Sequence, residues 1–548
     1  MTSPPTGKTA HVDPFVRERL PPRELWPDLL YDLPELRYAP QTNVVSEILD
    51  SHVGAGRGDA RCLVGNSFTW SYKDLQHTAN RIARVLVEDL DVVPGNRVLL
   101  RAPNTPMMVA AWMAVAKAGG VIVATMPLLR SRELAVIAER GRIPLALCDE
   151  GLSEEMEKLG SESEEIRRVV YFDELLERAA LKSPEFDNVR TAIDDPVLIA
   201  FTSGTTGKPK GCVHFHRDLL ASADSFFKGT LPCSANDVFT GSPPLAFTFG
   251  LGMHVVFPLR VGASVALIEK PSPEVILETI ARHRVTVLST APTAYRAMLK
   301  HVTRHDVDSL KFCVSAGESL PLPTGETWRD VTGKSIVDGI GATEMFHIFI
   351  SAAGEEIRPG ATGKAVRGYQ ARVTDERGDA LPAGQVGRLA VRGPTGCRYL
   401  DDPVRQQEYV KDGWNFTGDA YLMDEDGYFF FQARTDDMIV TAGYNISGPE
   451  VEEALLAHDA VADCACVASP DPVRGNIVKA FVVLKPGAGD ASSRGSMATV
   501  LQEFVKAQIA PYKYPREVEF VESLPRTETG KVQRFKLRQM EKERKKAP

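Results

Sequence analysis

Short apolar runs alternate with longer amphipathic stretches through roughly the first four hundred residues. The stretch from Tyr72 to Leu90 repeats apolar residues at helical spacing, which predicts an amphipathic helix. Buried strands are predicted at PVLIAFTS, SVALIE, VTVLST and FCVSAG. Because strands that alternate with helices favour βαβ units, this part of the chain is predicted to be α/β with largely parallel sheets.

The pattern changes towards the C-terminus. From Ile357 to Phe431, short strands separated by Gly, Pro and Asp turns predict a small β subdomain. After Arg434 a charged, Gly-rich stretch precedes a predicted helix at Pro449 to Ala457, the strands VADCACVAS and VKAFVVLKP, a further helix and a basic tail. We predict an N-terminal domain over 1–434 and, after a hinge, a separate α+β domain over 435–548.

Two segments allow more than one interpretation. Met107 to Leu129 is apolar enough to suggest a membrane span, but Lys117 and Pro127 interrupt it, so a buried helix followed by a buried strand is preferred. Residues 151–188 are dense in Glu and Arg, which predicts a solvated helical flank without chemistry.

Composition narrows the class of protein. At 548 residues the chain is too long for one core, since domains hold roughly 100 to 200 residues each. The net charge, 64 basic minus 72 acidic residues, is −8, which argues against a nucleic-acid or membrane-surface binder. Eight cysteines without a CxxC pair and a start without an apolar signal segment indicate a reducing, cytoplasmic compartment.

The stretch FTSGTTGKPKG, residues 201–211, has the chemistry of a phosphate loop. Its glycines let backbone approach an anion, its hydroxyls donate to phosphate oxygens, and its lysines add positive charge. It is not a Walker loop, because Thr202 and Pro209 occupy positions where that motif needs Gly and Ser or Thr. A polar surface turn is the alternative. The candidate phosphate ligands are Thr202, Ser203, Gly204, Thr205, Thr206, Gly207 and Lys210.

Five further stretches follow in order: SAGESLP (315–321), DGIGATEM (338–345), TGD (417–419), ARTDDMIVTAGYNISGPEVE (433–452) and PRTETGKVQR (525–534). Together with the phosphate loop they resemble the adenylate-forming superfamily of acyl-CoA synthetases, luciferases and peptide-synthetase adenylation domains. The resemblance covers nearly the whole chain. It implies two Rossmann-like subdomains with a small β-barrel, and a mobile C-terminal α+β domain.

The resemblance also implies an ATP site. Thr343 and Glu344 match the pair that binds Mg²⁺ and the nucleotide phosphates. Their side-chain oxygens suit this role, because Mg²⁺ prefers hard oxygen ligands. A helix N-terminus capped by Thr343 is the alternative. Ile340 stands where many relatives place an aromatic residue against adenine. The residues implied near adenine and ribose are Gly317, Glu318, Asp338, Gly339, Asp419 and Arg434.

The C-terminal motifs resemble the moving parts of the superfamily. Lys531 matches the catalytic lysine of the adenylation step, and Asp436 matches the hinge position. Gly443 and Tyr444 match the face presented for CoA. The implied reaction joins a small-molecule carboxylic acid to coenzyme A through an acyl-adenylate, with ATP and Mg²⁺, in a monomer or homodimer.

The acyl pocket is predicted from LAFTFGLG (245–252), STAPTAYR (289–296) and GIGATEMFH (339–347). Phe247 and Phe249 offer flat surfaces for a ring, and Met345 and His347 could close the far end. Core packing is the alternative for these residues. DGIGATEMFHIFI and the opening DPFVRERLPPRELWPDL resemble ligases of benzoate and 2-aminobenzoate, so the acid is predicted to be one of these, in a pocket lined by Phe247, Gly341 and His347.

Other functions remain open at this point. An adenylation enzyme that loads a carrier protein, a medium-chain fatty acyl-CoA ligase and a luciferase-like oxygenase share the motifs. A catalytically dead nucleotide-binding regulator is disfavoured because Lys531, Glu344 and Asp419 are all present. The HxH pair His214 and His216 lacks companion ligands at metal spacing, as does the CxC pair, so both are predicted to be structural.

Overall fold

The computed structural model describes residues 7–202, 209–434, 437–441, 444–471, 475–488, 494–509, 513–526 and 532–544. The chain divides into two compact units, Met1–Ala371 with Ala390–Phe416, and Arg372–Leu389 with Thr417–Pro548. The domain boundary at residue 434 stays a prediction. Within the described residues no helix is long and apolar enough to cross a membrane.

The described strands, in chain order, are β1 Arg61–Val64, β2 Thr69–Ser71, β3 Arg97–Arg101, β4 Val121–Thr125, β5 Leu145–Cys148, β6 Arg168–Tyr171, β7 Pro196–Thr202, β8 Lys210–Phe215, β9 Val238–Gly241, β10 Ser264–Ala266, β11 Val287–Thr290, β12 Phe312–Ser315, β13 Ile336–Gly341, β14 Ile348–Ser351, β15 Lys364–Ala365, β16 Gln370–Thr374, β17 Val386–Arg392, β18 Val410–Lys411, β19 Trp414–Met423, β20 Phe429–Arg434, β21 Met438–Thr441, β22 Tyr444–Ser447, β23 Val461–Asp471, β24 Gly475–Leu484 and β25 Glu517–Phe520.

The described α-helices are α1 Phe15–Glu18, α2 Tyr72–Arg84, α3 Pro106–Lys117, α4 Ser131–Gly141, α5 Ser153–Glu162, α6 Phe172–Ala180, α7 His216–Gly229, α8 Thr248–Leu251, α9 Phe257–Arg260, α10 Pro273–His283, α11 Pro292–Met298, α12 Leu322–Thr332, α13 Pro403–Tyr409, α14 Gly448–Leu456, α15 Arg494–Gln508 and α16 Arg534–Arg544. Ser71 and Asp74 form a capping box that starts α2, where the amphipathic pattern predicts a helix.

A six-stranded sheet in the first unit has the order β6-β5-β3-β4-β7-β8. Its strands are parallel except for the antiparallel pair β7 and β8. Every residue of β3 and β4 is buried, which is expected of parallel strands covered on both faces. The apolar stretch from Met107 to Leu129 forms the buried helix α3 and then β4, as predicted.

A nine-stranded sheet, also in the first unit, has the order β15-β14-β13-β12-β11-β9-β10-β1-β2. Its centre, from β13 to β1, is parallel. Trp328 and Tyr295 are fully buried against it and contact each other edge to face with ring centroids 4.9 Å apart. These two sheets confirm the predicted α/β class, since they are built from strands that alternate with helices.

Segment 151–188 contains a strand in addition to helices. It contains α5, α6 and between them β6, which adds an edge strand to the six-stranded sheet. Only one residue of β6, Val170, is fully buried. The prediction of a solvated helical flank therefore holds for the two helices and did not include these four residues of strand.

The β-rich segment after the second sheet forms a five-stranded sheet with the order β16-β17-β19-β18, in which β20 pairs with β19. The second unit holds the hairpin β21-β22 and a three-stranded sheet, β23-β24-β25. Helices α14 and α15 contribute Val451, Leu455 and Leu501 to one apolar core beside the latter sheet. The C-terminal basic tail contains the helix α16.

Candidate active site

The parallel strands of the nine-stranded sheet bring the predicted adenine residues to one edge. Strands β11, β12 and β13 are neighbours, with Ser315 opposite both Thr290 and Asp338. Parallel strands end at the same edge of a sheet, and ligands of α/β proteins bind outside such carboxyl ends. Gly317 and Glu318 follow β12, and Gly339 follows Asp338 within β13.

Asp338 has a buried carboxyl group. Its Oδ1 atom has no hydrogen-bond partner among the described residues, although the residue as a whole is partly exposed. Burial raises the pKa of Asp338 to about 7, and the backbone of Gly339 opposes this shift. At the start of α11, the Thr293 hydroxyl donates to Glu318 Oε2 at 2.6 Å. The edge therefore holds one carboxyl oxygen, Asp338 Oδ1, that has no hydrogen-bond partner of normal geometry among the described residues.

Thr343 and Glu344 lie in a short 3₁₀ turn, Thr343–Met345, directly after β13. The alternative in which Thr343 caps a helix is wrong, because the turn has three residues and its N-cap is Ala342 without a side-chain bond. Gly341 permits the tight path of this turn, since a Cβ there would lie 2.7 Å from the His347 carbonyl oxygen. The Glu344 carboxylate accepts a hydrogen bond from the Tyr399 hydroxyl at 2.6 Å.

One histidine of the HxH pair, His214, supports the turn Thr343–Met345. His214 is buried and its Nε2 donates to the Thr343 carbonyl at 2.8 Å. His216 is also buried, and its Nδ1 accepts the Val44 amide at 3.1 Å. Among the described residues no group of three or more His, Cys, Asp or Glu side chains could hold a metal ion. Both histidines therefore have structural contacts.

The predicted phosphate loop connects β7 to β8. Thr202 stands opposite Lys210 in this antiparallel pair, so both ends of the loop are fixed by backbone pairing. Arg140 donates to the carbonyl of Pro209, the residue before Lys210. The Lys210 ammonium lies 5.5 Å from the centroid of the Tyr399 ring. The loop residues Ser203, Gly204, Thr205, Thr206 and Gly207 lie outside the described residues.

His347 occupies an aromatic enclosure three residues beyond Glu344. Ring centroids lie 4.3 Å away at Phe257, 5.6 Å at Phe249 and 5.7 Å at Phe226. Burial lowers the pKa of His347 to about 3, against an opposing backbone contact from Phe249, so the imidazole is neutral at physiological pH. Neither ring nitrogen has a hydrogen-bond partner of normal geometry among the described residues.

The enclosure is tight on the side of α8. A Cβ at Gly252 would lie 2.4 Å from the His347 ring, so any larger residue would displace it. Met345 is fully buried, whereas Phe247 remains 38% exposed at the N-cap of α8. The structure therefore brings Phe249, Gly341 and His347 close together and leaves Phe247 partly open to solvent.

In the second unit, Asp419 and Arg434 form a pair. They stand opposite each other on β19 and β20, and Arg434 Nη1 donates to Asp419 Oδ1 at 2.8 Å. Arg434 also donates to the Thr417 carbonyl at 3.2 Å. The two residues implied at the ribose are thus brought together by strand register.

Several predicted residues lie outside the described residues: Asp436, Gly443 and Lys531. Arg526 and Val532 form an antiparallel bridge on either side of the stretch that contains Lys531. Tyr444 is described for its backbone only, opposite Thr441 in the hairpin β21-β22. Their roles stay predictions.

The sequence did not single out Tyr399, Arg398, Phe226 or Phe257, although all contact predicted site residues or their supports. Arg398 forms a buried ion pair with Asp218 at 2.8 Å, beside His214. Arg398 and Tyr399 follow a glycine-rich turn, and the sequence around them matches no motif that would mark them as site residues. Only the fold makes these residues neighbours of the site.

A parallel sheet with a carboxylate turn and a glycine-rich loop is typical of a nucleotide-binding α/β enzyme. The chain matches the family of AMP-binding enzymes over residues 51–398 and the AMP-binding enzyme C-terminal domain over residues 450–531. It belongs to this family of AMP-binding enzymes.

Curated relatives and solved structures carry related names. The benzoate–CoA ligase of Thauera aromatica is 34% identical over 92% of this chain and 97% of its own length. The mitochondrial acyl-coenzyme A synthetase ACSM3 of Mus musculus is 34% identical over 87% of this chain and 85% of its own length. The anthranilate CoA ligase AuaEII, solved in complex with anthranoyl-AMP, superposes with a TM-score of 0.86 at 30% identity, covering 94% of this chain and all of that one (100%).

Proposed function

We propose that this chain is an ATP-dependent ligase that joins a benzoate-type acid to coenzyme A through an acyl-adenylate. The observation that carries the proposal is the aromatic enclosure of His347, which lies three residues after Glu344, just beyond the turn Thr343–Met345. An aromatic acid in this enclosure has its ring among flat apolar side chains and its carboxylate towards the nucleotide residues. The names of the benzoate and anthranilate ligases support the same substrate class.

The chemistry has two steps. A carboxylate oxygen of the acid attacks the α-phosphorus of ATP, and pyrophosphate leaves with the electrons of the broken P–O bond. The thiolate of CoA then attacks the acyl carbon, and AMP leaves as the C–O bond breaks. In the first step Lys531, Lys210 and the phosphate loop would offset charge on the phosphoryl oxygens. Residues Asp419 and Arg434 would hold the ribose.

The residues present fit a magnesium ion at Glu344. Mg²⁺ takes few protein carboxylates and completes its octahedron with phosphate oxygens and water. Glu344 is partly exposed, and Thr343, which carries a hydroxyl, directly precedes it on the same turn. When bound, the ion would neutralise charge on the phosphates of ATP.

The same His347 supports a preference for a substituted ring. Its imidazole is neutral, so one nitrogen donates and the other accepts. A 2-amino group on the ring has hydrogens to offer to such an acceptor. We therefore propose 2-aminobenzoate as the first choice and benzoate as the second.

A panel of acids tests this proposal. AMP release with CoA should give a higher kcat/KM for benzoate or 2-aminobenzoate than for any straight-chain acid. His347→Phe keeps an aromatic ring in the enclosure but removes both nitrogens, so the preference for 2-aminobenzoate over benzoate should fall by roughly five- to tenfold. A kcat/KM for hexanoate or longer acids above that for every benzoate would overturn the aryl assignment. An unchanged preference in His347→Phe would overturn the contact with the substituent.

Two alternative functions, adenylation of amino acids for a carrier protein and fatty acyl-CoA ligation, are disfavoured by other observations. A carrier-protein adenylation enzyme for amino acids would place Asp in the stretch where Phe247 stands, to bind the α-ammonium group. A fatty acyl-CoA ligase needs an elongated apolar tunnel, whereas His347 is enclosed by three phenylalanine rings. We propose coenzyme A as the acceptor, and a monomer or homodimer as the oligomeric state. We also propose a reducing, cytoplasmic compartment, which agrees with the free thiols of the eight cysteines.

The carboxyl group of Asp338 predicts a pH dependence of ATP binding. Its pKa is raised to about 7, so it is ionised at pH 8 and protonated at pH 6. The ionised form accepts a hydrogen bond from the amino group of adenine better than the acid does. We expect the KM for ATP to rise roughly five- to tenfold from pH 8 to pH 6.

Asp338→Asn is the matched control, because its amide keeps an acceptor oxygen but does not titrate. Its KM for ATP should lose the part of the pH dependence that comes from this residue, leaving only that of the nucleotide itself. Equal slopes of KM against pH in both proteins would show that Asp338 does not face the base.

A further inference from the structure

The segment Cys397–Leu400 extends the pairing of β8 beyond the six-stranded sheet. The Val213 amide donates to the Arg398 carbonyl and the Leu400 amide donates to the Gly211 carbonyl, both at 2.8 Å. Cys212 and Tyr399 form an antiparallel bridge between these two bonds. The segment is thus fixed to the strand that leaves the phosphate loop.

The Tyr399 side chain faces two residues of the proposed ATP site. It is 1% exposed, and its hydroxyl donates to Glu344 Oε1 at 2.6 Å. Its ring lies under the Lys210 ammonium, 5.5 Å from centroid to nitrogen. A carboxylate oxygen only accepts hydrogen bonds, so the Tyr399 phenol is the donor in its contact with Glu344.

A buried glutamine on α13 fixes the backbone of Tyr399. Gln406 Oε1 accepts the Tyr399 amide at 3.0 Å. Gln406 Nε2 donates to the Cys397 carbonyl at 3.0 Å and to the Leu25 carbonyl at 2.9 Å. Because the whole amide group is engaged, Tyr399 has little freedom to move away from Glu344.

The residue before Tyr399 supports the other half of the turn. Arg398 pairs with Asp218 at 2.8 Å, both fully buried. Asp218 lies 3.8 Å from His214, whose Nε2 donates to the Thr343 carbonyl. Arg398 therefore supports Thr343 indirectly, through Asp218 and His214. The next residue, Tyr399, supports Glu344 directly.

We propose that Tyr399 is a positioning residue that aims the Glu344 carboxylate at the magnesium ion of MgATP. This rests on the proposed function, which places Mg²⁺ at Glu344. A carboxylate with one oxygen fixed by a hydrogen bond presents the other in a defined direction, and Mg²⁺ tolerates little departure from octahedral geometry. Tyr399 also joins Glu344 to Lys210, so the metal ligand and a phosphate ligand share one support.

The test is Tyr399→Phe in the full chain. Phenylalanine keeps the ring beside Lys210 and removes only the hydroxyl. Tyr72→Phe is the matched control, because Tyr72 is also fully buried and its hydroxyl donates to a carbonyl, that of Ala263 at 2.7 Å, away from the predicted site. Calorimetry gives the Kd for ATP with Mg²⁺ and with EDTA, and steady-state kinetics separate KM for MgATP from kcat.

We expect Tyr399→Phe to weaken MgATP binding at least tenfold, the usual effect of losing an outer hydrogen bond to a metal ligand. The Kd for ATP in EDTA should match wild type, and Tyr72→Phe should match wild type in both. The increase should be visible in KM for MgATP. Thermal unfolding of the two variants should shift by a similar amount, since each loses one buried hydroxyl bond.

Two results would overturn the proposal. If wild type gained affinity for ATP from Mg²⁺ and Tyr399→Phe kept that gain, Tyr399 would have no role in aiming Glu344, while the proposed function would stand. If wild type bound ATP no better with Mg²⁺ than with EDTA, the magnesium site at Glu344 and the role of Tyr399 would both be wrong.

Discussion

Lys531→Ala should lower acid-dependent ATP–pyrophosphate exchange by about 100-fold or more, the typical effect of removing one charge-stabilising donor from a transition state. The same variant should form the thioester from a supplied acyl-adenylate and CoA at a rate close to wild type. The reason is that the lysine of PRTETGKVQR is implied to neutralise phosphoryl oxygens while pyrophosphate leaves. No phosphoryl transfer remains in the second step.

Lys536→Ala is the control for this experiment. Lys536 is an exposed residue on α16, five positions after Lys531, and should be neutral in both steps. The two half-reactions are measured separately, as exchange of labelled pyrophosphate and as CoA thioester formed from synthetic benzoyl-adenylate. Equal losses of both half-reactions in Lys531→Ala would contradict a role confined to adenylation.

Asp436→Pro should have the opposite effect. Proline fixes φ near −65° at the position implied to be the hinge, so a rotation that requires another φ is blocked. We expect adenylation to proceed and CoA transfer to fall by about 100-fold, which corresponds to the ~3 kcal/mol by which proline disfavours an incompatible backbone. Acyl-adenylate should accumulate on the enzyme.

Asp436→Ala separates the backbone effect from the loss of the side chain. Alanine leaves φ free, so this variant should transfer to CoA far better than Asp436→Pro. Rapid quenching of a single turnover, with the adenylate and thioester quantified together, distinguishes the two steps. Unimpaired overall turnover in Asp436→Pro would place the hinge elsewhere in the chain.

The family and the fold class follow from the sequence because their signals are local. The order of six short motifs identified the superfamily, and the family match confirms it. The helix at Tyr72 and the helix–strand pair after Met107 were predicted from apolar spacing, which burial imposes on each element. Strand β6 was missed because its short apolar run, Val169 to Phe172, stands between two stretches dense in Glu and Arg, and only Val170 of its four residues is fully buried.

The supports of the site could not be predicted, because they act across large sequence separations. Tyr399 and Glu344 are 55 residues apart in the chain, and Arg398 and Asp218 are 180 apart. Phe226 and Phe257 contact His347 from α7 and α9, which have ordinary core sequences. The motif identifies residues that resemble ligand contacts, whereas the fold decides which side chains hold them in place.

The central claim is that one chain makes an acyl-adenylate and then a CoA thioester from an aromatic acid. The most direct measurement follows ATP, AMP and acyl-CoA by chromatography with benzoate or 2-aminobenzoate, in the presence and absence of CoA. The account predicts acid-dependent pyrophosphate exchange without CoA, and with CoA the formation of one AMP for each acyl-CoA. Exchange that depends on the acid but AMP release that CoA does not accelerate would contradict it, as would ADP in place of AMP.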